Sequence, residues 1–132
     1  MSKGVYILVV SVSKDINVNV GALGSVNFEK GLYVYVGSAQ NDLEKRVARH
    51  LRRTKQKFWH IDYLLDDAKV EVLKVFHKKA GKSEECRVAN KIGEMCVPTK
   101  GFGSSDCKCK SHLFKLKDYQ FLSEFMFETS LI

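Results

Sequence analysis

GLYVYVGSAQNDLEKRVARHLRRT, residues 31–54, changes character halfway along. In its first part Leu32, Val34 and Val36 alternate with Tyr33, Tyr35 and Gly37, the period of a strand. Beyond Gly37 the chain becomes basic and helical. Asn41 or Asp42 is placed to cap a helix in which Leu43, Val47 and Leu51 recur every fourth residue as one apolar stripe. On that helix Arg46 lies about 60° from Leu43 and His50 about 20°, so both flank or join the stripe one turn apart. Arg49, Arg52 and Arg53 are expected to point outward. A strand thus delivers a tyrosine to a helix that holds an arginine at the edge of the core, which sets a cation beside a phenol.

Around this stretch, a chain of 132 residues with one proline and no low-complexity run fits one domain with a core of its own. No apolar stretch has spanning length, and the first residues lack a signal-peptide pattern. Cys86, Cys96, Cys107 and Cys109 are therefore read as reduced thiols, and the location as cytoplasmic. The formal charge of +7 and pI near 9.3 favour an anionic partner, nucleic acid rather than a membrane surface.

Gly4–Val12, GVYILVVSV, is uncharged and rich in β-branched residues, as in a central strand buried on both faces. Residues 13–19 are polar and should turn, and 17–28 alternate weakly around Gly21 and Gly24, as in a short hairpin or irregular excursion within 13–30. Antiparallel return of residues 31–39 would bring Tyr6 near Tyr35. Lys55–Leu65, KQKFWHIDYLL, must largely pack, with His60 and Asp62 either paired within the core or lining the edge of a site. Val70–His77 reads as a third strand and Glu84–Cys96 as a second helix. Glu85 falls within about 40° of Ala89, Ile92 and Cys96, so it faces inward while Glu84 does not. A buried carboxylate requires a partner, which could be a lysine, an arginine or a metal ion.

Gly4-Val5-Tyr6, Tyr35-Val36-Gly37, Leu43-x-x-Arg46-Val47-x-x-His50 and the inward Glu85 together resemble the GIY-YIG nuclease superfamily. WHIDYLL (Trp59–Leu65) and GFGSSDCKCKSHL (Gly101–Leu113) are similar to its domain-of-unknown-function 123 branch. The resemblance implies an α+β fold: a small central antiparallel sheet in strand-strand-helix-strand-helix order, flanked by helices, with an insertion between the first two core strands. It places a nuclease-like domain at residues 1–117 and leaves 118–132 as a tail, docked as a helix or used for self-association. The insertion is longer than the family minimum, and the asparagine some members carry after the glutamate has no clear counterpart.

The resemblance further implies a catalytic set of Tyr6, Tyr35, Arg46, His50 and Glu85. Glu85 would hold one Mg²⁺ or Mn²⁺ ion, and Arg46 would grip a phosphate. Tyr6, its pKa lowered by the metal and Arg46, would act as general base with His50 as its competitor, and Tyr35 would orient water or phosphate. Lys45, Arg49, Arg52, Arg53 and Lys55, with Lys57, form a basic set suited to a DNA or RNA backbone. The expected function is a metal-dependent endonuclease acting on structured or damaged DNA; the alternative is a non-catalytic nucleic-acid-binding domain with the same fold. Cys107-x-Cys109-x-x-His112 is too tightly spaced for the usual zinc pairing and lacks a fourth ligand, which Cys86, Cys96 or Asp106 would have to supply. Thiols packing a C-terminal strand against the sheet is the preferred reading over structural zinc.

Overall fold

The computed structural model describes residues 3–52, 56–104, 107–124 and 126–129. Arg53 and Lys55 of the expected basic set, and Asp106, lie outside the described residues. The chain begins with β1 (Gly4–Val12), followed by a hairpin of β2 (Ile16–Asn19) and β3 (Ser25–Phe28). β4 (Gly31–Ala39), α1 (Leu43–Leu51), α2 (His60–Leu65), β5 (Val70–Lys78) and α3 (Ser83–Gly93) come next. β6 (Val97–Pro98), β7 (Leu113–Leu116) and β8 (Phe127–Thr129) complete the described elements. Among the described residues the fold is α+β, with a six-stranded antiparallel sheet in the order β6-β7-β4-β1-β5-β8.

β1 lies inside the sheet between β4 and β5, and every residue from Val5 to Val10 is buried. Its period of two splits the core into two layers. Tyr6, Leu8, Val10 and Val12 join Tyr33 and Tyr35 against α1 and α2, while Val5, Ile7 and Val9 join Val34 and Val36 against α3. The hairpin formed by 13–30 packs beside α2, at the end of the sheet where β1 finishes and β4 begins. The segment after residue 117 does not dock as a helix. It makes a 3₁₀ turn at Gln120–Glu124 that buries Leu122, and then pairs as β8 with β5. The outer edge of β5 offers unpaired backbone groups, and the tail satisfies them.

α1 starts as its sequence indicates, with the Asp42 carboxylate accepting the Lys45 N–H at 3.0 Å. Its buried face holds Leu43, Val47 and His50, and it stops at Leu51 with Arg52 extended. Arg49 does not point outward as expected. Its guanidinium grips Asp62 with two bonds, of 2.9 and 3.0 Å. Asp62 is fully buried and also accepts the N–H groups of Phe58 (2.8 Å) and Trp59 (3.0 Å), which closes the start of α2. A carboxylate this buried needs a fixed cation, and Arg49 on α1 supplies it.

Burial alone would raise the Asp62 carboxyl, but its bonds to Arg49 and to the Trp59 and Phe58 N–H groups hold it below the usual range. A depressed carboxyl stabilises the fold above its unfolded pKa near 3.8 and loses that contribution as pH falls through the folded value. Asp62→Asn should therefore cost about 3 kcal/mol at neutral pH, the lower end for a broken buried pair because Arg49 keeps one edge in water. Urea melts should show the gap between variant and parent closing in acid.

Candidate active-site cleft

At the end of the sheet where β1 begins and β4 finishes, the two layers open onto a cleft of about 660 Å³. Tyr6 stands opposite Gly37 in the β1–β4 register, and its ring lies over that residue. A Cβ at position 37 would sit 2.5 Å from the Tyr6 Cζ and hydroxyl, so the glycine is required by contact. The phenol reaches His50 on the buried face of α1, with 2.6 Å between the Tyr6 oxygen and Nε2. Tyr35 pairs across the sheet with Leu8, which leaves its ring 6.5 Å from that of Tyr6 and 6.1 Å from that of His50.

The cation sits where the helix period indicated. Arg46 donates to the Ser38 carbonyl at 2.9 Å, and its guanidinium lies 4.5 Å from the centre of the Trp59 ring. It does not lower the Tyr6 phenol below its ordinary value. Burial dominates over the charge of Arg46 and raises the Tyr6 pKa well above 10.0; burial, then Tyr6 and Glu85, do the same to Tyr35. Arg46 by itself therefore does not offset the burial of Tyr6, whose oxygen is hydrogen-bonded to the His50 imidazole.

Glu85 enters from the first turn of α3, and its partner is neither a lysine nor an arginine. Ser38 Oγ donates to Oε1 at 2.9 Å, and His112 Nδ1 lies 2.9 Å from Oε2. Burial alone would raise this carboxyl, but the bonds from His112 and Ser38 outweigh it and hold it low. Glu84, one residue earlier, faces outward to Lys78 and Arg87. Inward aim and outward aim thus divide the two glutamates as helix geometry requires.

Tyr6, Tyr35, Arg46, Glu85 and Lys45 all line this one cleft, while His50 stands behind Tyr6. Of the described basic set, Lys45 and Arg49 line the cleft, Arg49 being also held by Asp62, while Arg52 lines a separate cavity beside Leu65 and Val70 and Lys57 pairs with Asp66. None of the cleft lining comes from residues 13–30. Sequence reasoning missed Ser38, Trp59 and Lys82, which line the cleft, and His112, which bonds Glu85. Ser38 directly follows the Tyr35-Val36-Gly37 triplet, and Lys82 precedes α3, so adjacency was the available signal. His60 lines the cleft and accepts the Gly103 N–H at 2.8 Å through Nδ1.

The cysteines depart from expectation. They are not buried packing for the C-terminal strand. Cys86, Cys107, Cys109 and His112 turn one ligand atom each toward a common point, all within 4.8 Å of one another, as a Cys₃His cluster that could hold a metal ion. Of the three candidates for the fourth ligand it is Cys86 that joins, from α3 and one residue after Glu85, a different element from the other three. Cys96 instead packs against the α3-side core.

The fold and cleft define an α+β protein with a buried tyrosine–histidine pair, an arginine and a helix-borne carboxylate at one end of an antiparallel sheet. The chain belongs to the family described as Domain of unknown function DUF123, whose model matches residues 5–130 and so takes in the docked tail. No curated protein and no solved structure gives a significant match.

Two measurements test the phenol environment. Raised phenols keep their contribution below the ordinary pKa of 10.0 and lose it as pH rises through the folded values. In an alkaline absorbance titration, Tyr6→Phe or Tyr35→Phe should remove signal only from the late phase that accompanies unfolding. Gly37→Ala should cost about 1–3 kcal/mol in thermal or urea melts by overpacking against Tyr6. A melt unchanged from the parent would show that the ring moves aside freely.

Proposed function

We propose that this chain is a metal-dependent endonuclease of the GIY-YIG type that hydrolyses phosphodiester bonds in DNA. The observation that carries this reading is the convergence on one cleft of Tyr6, Tyr35, Arg46 and Glu85, residues far apart in sequence. A protein that only bound nucleic acid would have no need for a carboxylate among them. Lys45 and Lys82 supply further positive charge at the cleft.

Glu85 fits a hard divalent ion. Its side chain is 17% exposed, and each oxygen takes one hydrogen bond, so acceptor capacity is left on both. One carboxylate with water in the remaining positions suits Mg²⁺ or Mn²⁺. Bound there, the ion would neutralise phosphoryl charge and acidify a water. Arg46 keeps N–H groups beyond the one donated to Ser38, and these grip a phosphate oxygen. Tyr6 and His50 work in series: the phenol oxygen takes a proton from the attacking water as its own proton passes to His50 Nε2 across 2.6 Å. Neither step requires a free phenolate. Tyr35 orients the water or the phosphate.

Cleavage should be assayed on supercoiled plasmid and on a panel of branched, flapped, nicked and damaged DNA and RNA, with Mg²⁺ or Mn²⁺. Arg46→Ala and Glu85→Gln should each lower the rate at least about a hundredfold while still folding cooperatively, with stability losses of about 1 kcal/mol. Parent protein that binds the panel in a salt-dependent manner and cuts none of it would establish a binding domain instead.

A further inference from the structure

We propose that Cys86, Cys107, Cys109 and His112 bind one zinc ion, and that His112 carries the constraint of this site to Glu85. A tetrahedral zinc with Zn–S near 2.3 Å sets its sulfurs about 3.8 Å apart, and a sulfur and an imidazole nitrogen about 3.6 Å apart. The four ligand atoms lie within 4.8 Å of one another, and Cys107 Sγ is 3.4 Å from His112 Nε2. Closing the widest separation by about 1 Å brings the set to the size of a zinc shell.

The histidine decides the matter. Nδ1 faces two acceptors, Glu85 Oε2 at 2.9 Å and the Val36 carbonyl at 3.1 Å, so it must carry the proton. In the neutral ring Nε2 then holds a lone pair, directed at the thiols. A ligand histidine whose other nitrogen donates to a carboxylate and a carbonyl is the arrangement that fixes ring orientation in metal sites. Thiolates and imidazole select zinc over the hard ions suited to Glu85. Three thiolates and Zn²⁺ sum to one negative charge, and Lys108 and Lys110 flank Cys109 in sequence as exposed cations. The site would clip the 99–112 loop to α3.

The zinc assignment is independent of cleavage; the positioning of Glu85 rests on the endonuclease reading. Purified under reducing conditions, the parent protein should contain about one zinc per chain by elemental analysis. Exchange into Co²⁺ should give the intense visible bands of a tetrahedral thiolate site. Cys86→Ser and Cys109→Ser should each reduce metal to a small fraction and lower the melting temperature. If those variants do not fold, the parent's zinc content and cobalt spectrum carry the test alone. Parent protein that lacks zinc and takes up no Co²⁺, or that pairs these cysteines as disulfides, overturns the assignment.

His112→Cys separates the two halves, because it offers a fourth thiolate while removing the Nδ1–H. It should keep its zinc but bind Mn²⁺ about 10–100-fold more weakly, read by the paramagnetic resonance of free Mn²⁺. Unchanged Mn²⁺ affinity overturns the positioning role. Parent protein that holds zinc but binds no Mn²⁺ overturns the Glu85 metal reading and the positioning role together, and leaves the zinc site standing.

Discussion

The two helical layers of this protein are joined chemically at Ser38. Its carbonyl accepts from Arg46 on α1, and its hydroxyl donates to Glu85 on α3. The carbonyl of a strand residue lies near the sheet plane while its side chain stands off one face, so a single position at the end of β4 can hold a cation with one group and an anion with the other. Nothing else described in the cleft bridges the layers so directly. The distance between arginine and carboxylate is therefore set by the strand and not by the flexibility of either side chain.

Behind that pair, the cleft keeps two phenols out of water. Burial dominates over the attraction of Arg46, and both tyrosines stay protonated in the folded state. The contact with His50 Nε2 at 2.6 Å gives the Tyr6 hydroxyl a hydrogen-bond partner in place of water. Asp62 illustrates the opposite balance. It is as deeply buried, yet two bonds from Arg49 and two from the backbone keep it ionised. Two arginines one turn apart thus have different roles, decided by whether a buried carboxylate lies within reach.

The sheet was legible because its determinants are local. β1 lacks charge, β4 alternates, and the stripe of Leu43 and Val47 fixes which face of α1 is buried. The same periodicities placed Arg46 and turned Glu85 inward. What was not legible depends on register and on contacts between distant segments. Arg49 sits on the outer part of its helix by angle, and only the position of α2 makes it a buried partner. The fourth ligand of the cysteine cluster was readable only as one of three alternatives for a similar reason: Cys86 is separated from Cys107 by β6 and the loop before β7, and no spacing rule joins them. The tail docks, but as a strand and not as the helix expected of it, because β5 offers it an open sheet edge.

β1 also sets the order in which the protein can be assembled. Its inner ladder is completed by residues well downstream, with Gly4 opposite Ala39 and Val5 opposite Lys78. A chain leaving the ribosome therefore carries nine uncharged residues of high β-propensity through the synthesis of every element up to β5. Until β5 emerges, one whole edge of that strand is unpaired. Contacts of such long sequence separation make folding slow, and they place the hazard of misassociation in the growing chain rather than in the finished protein.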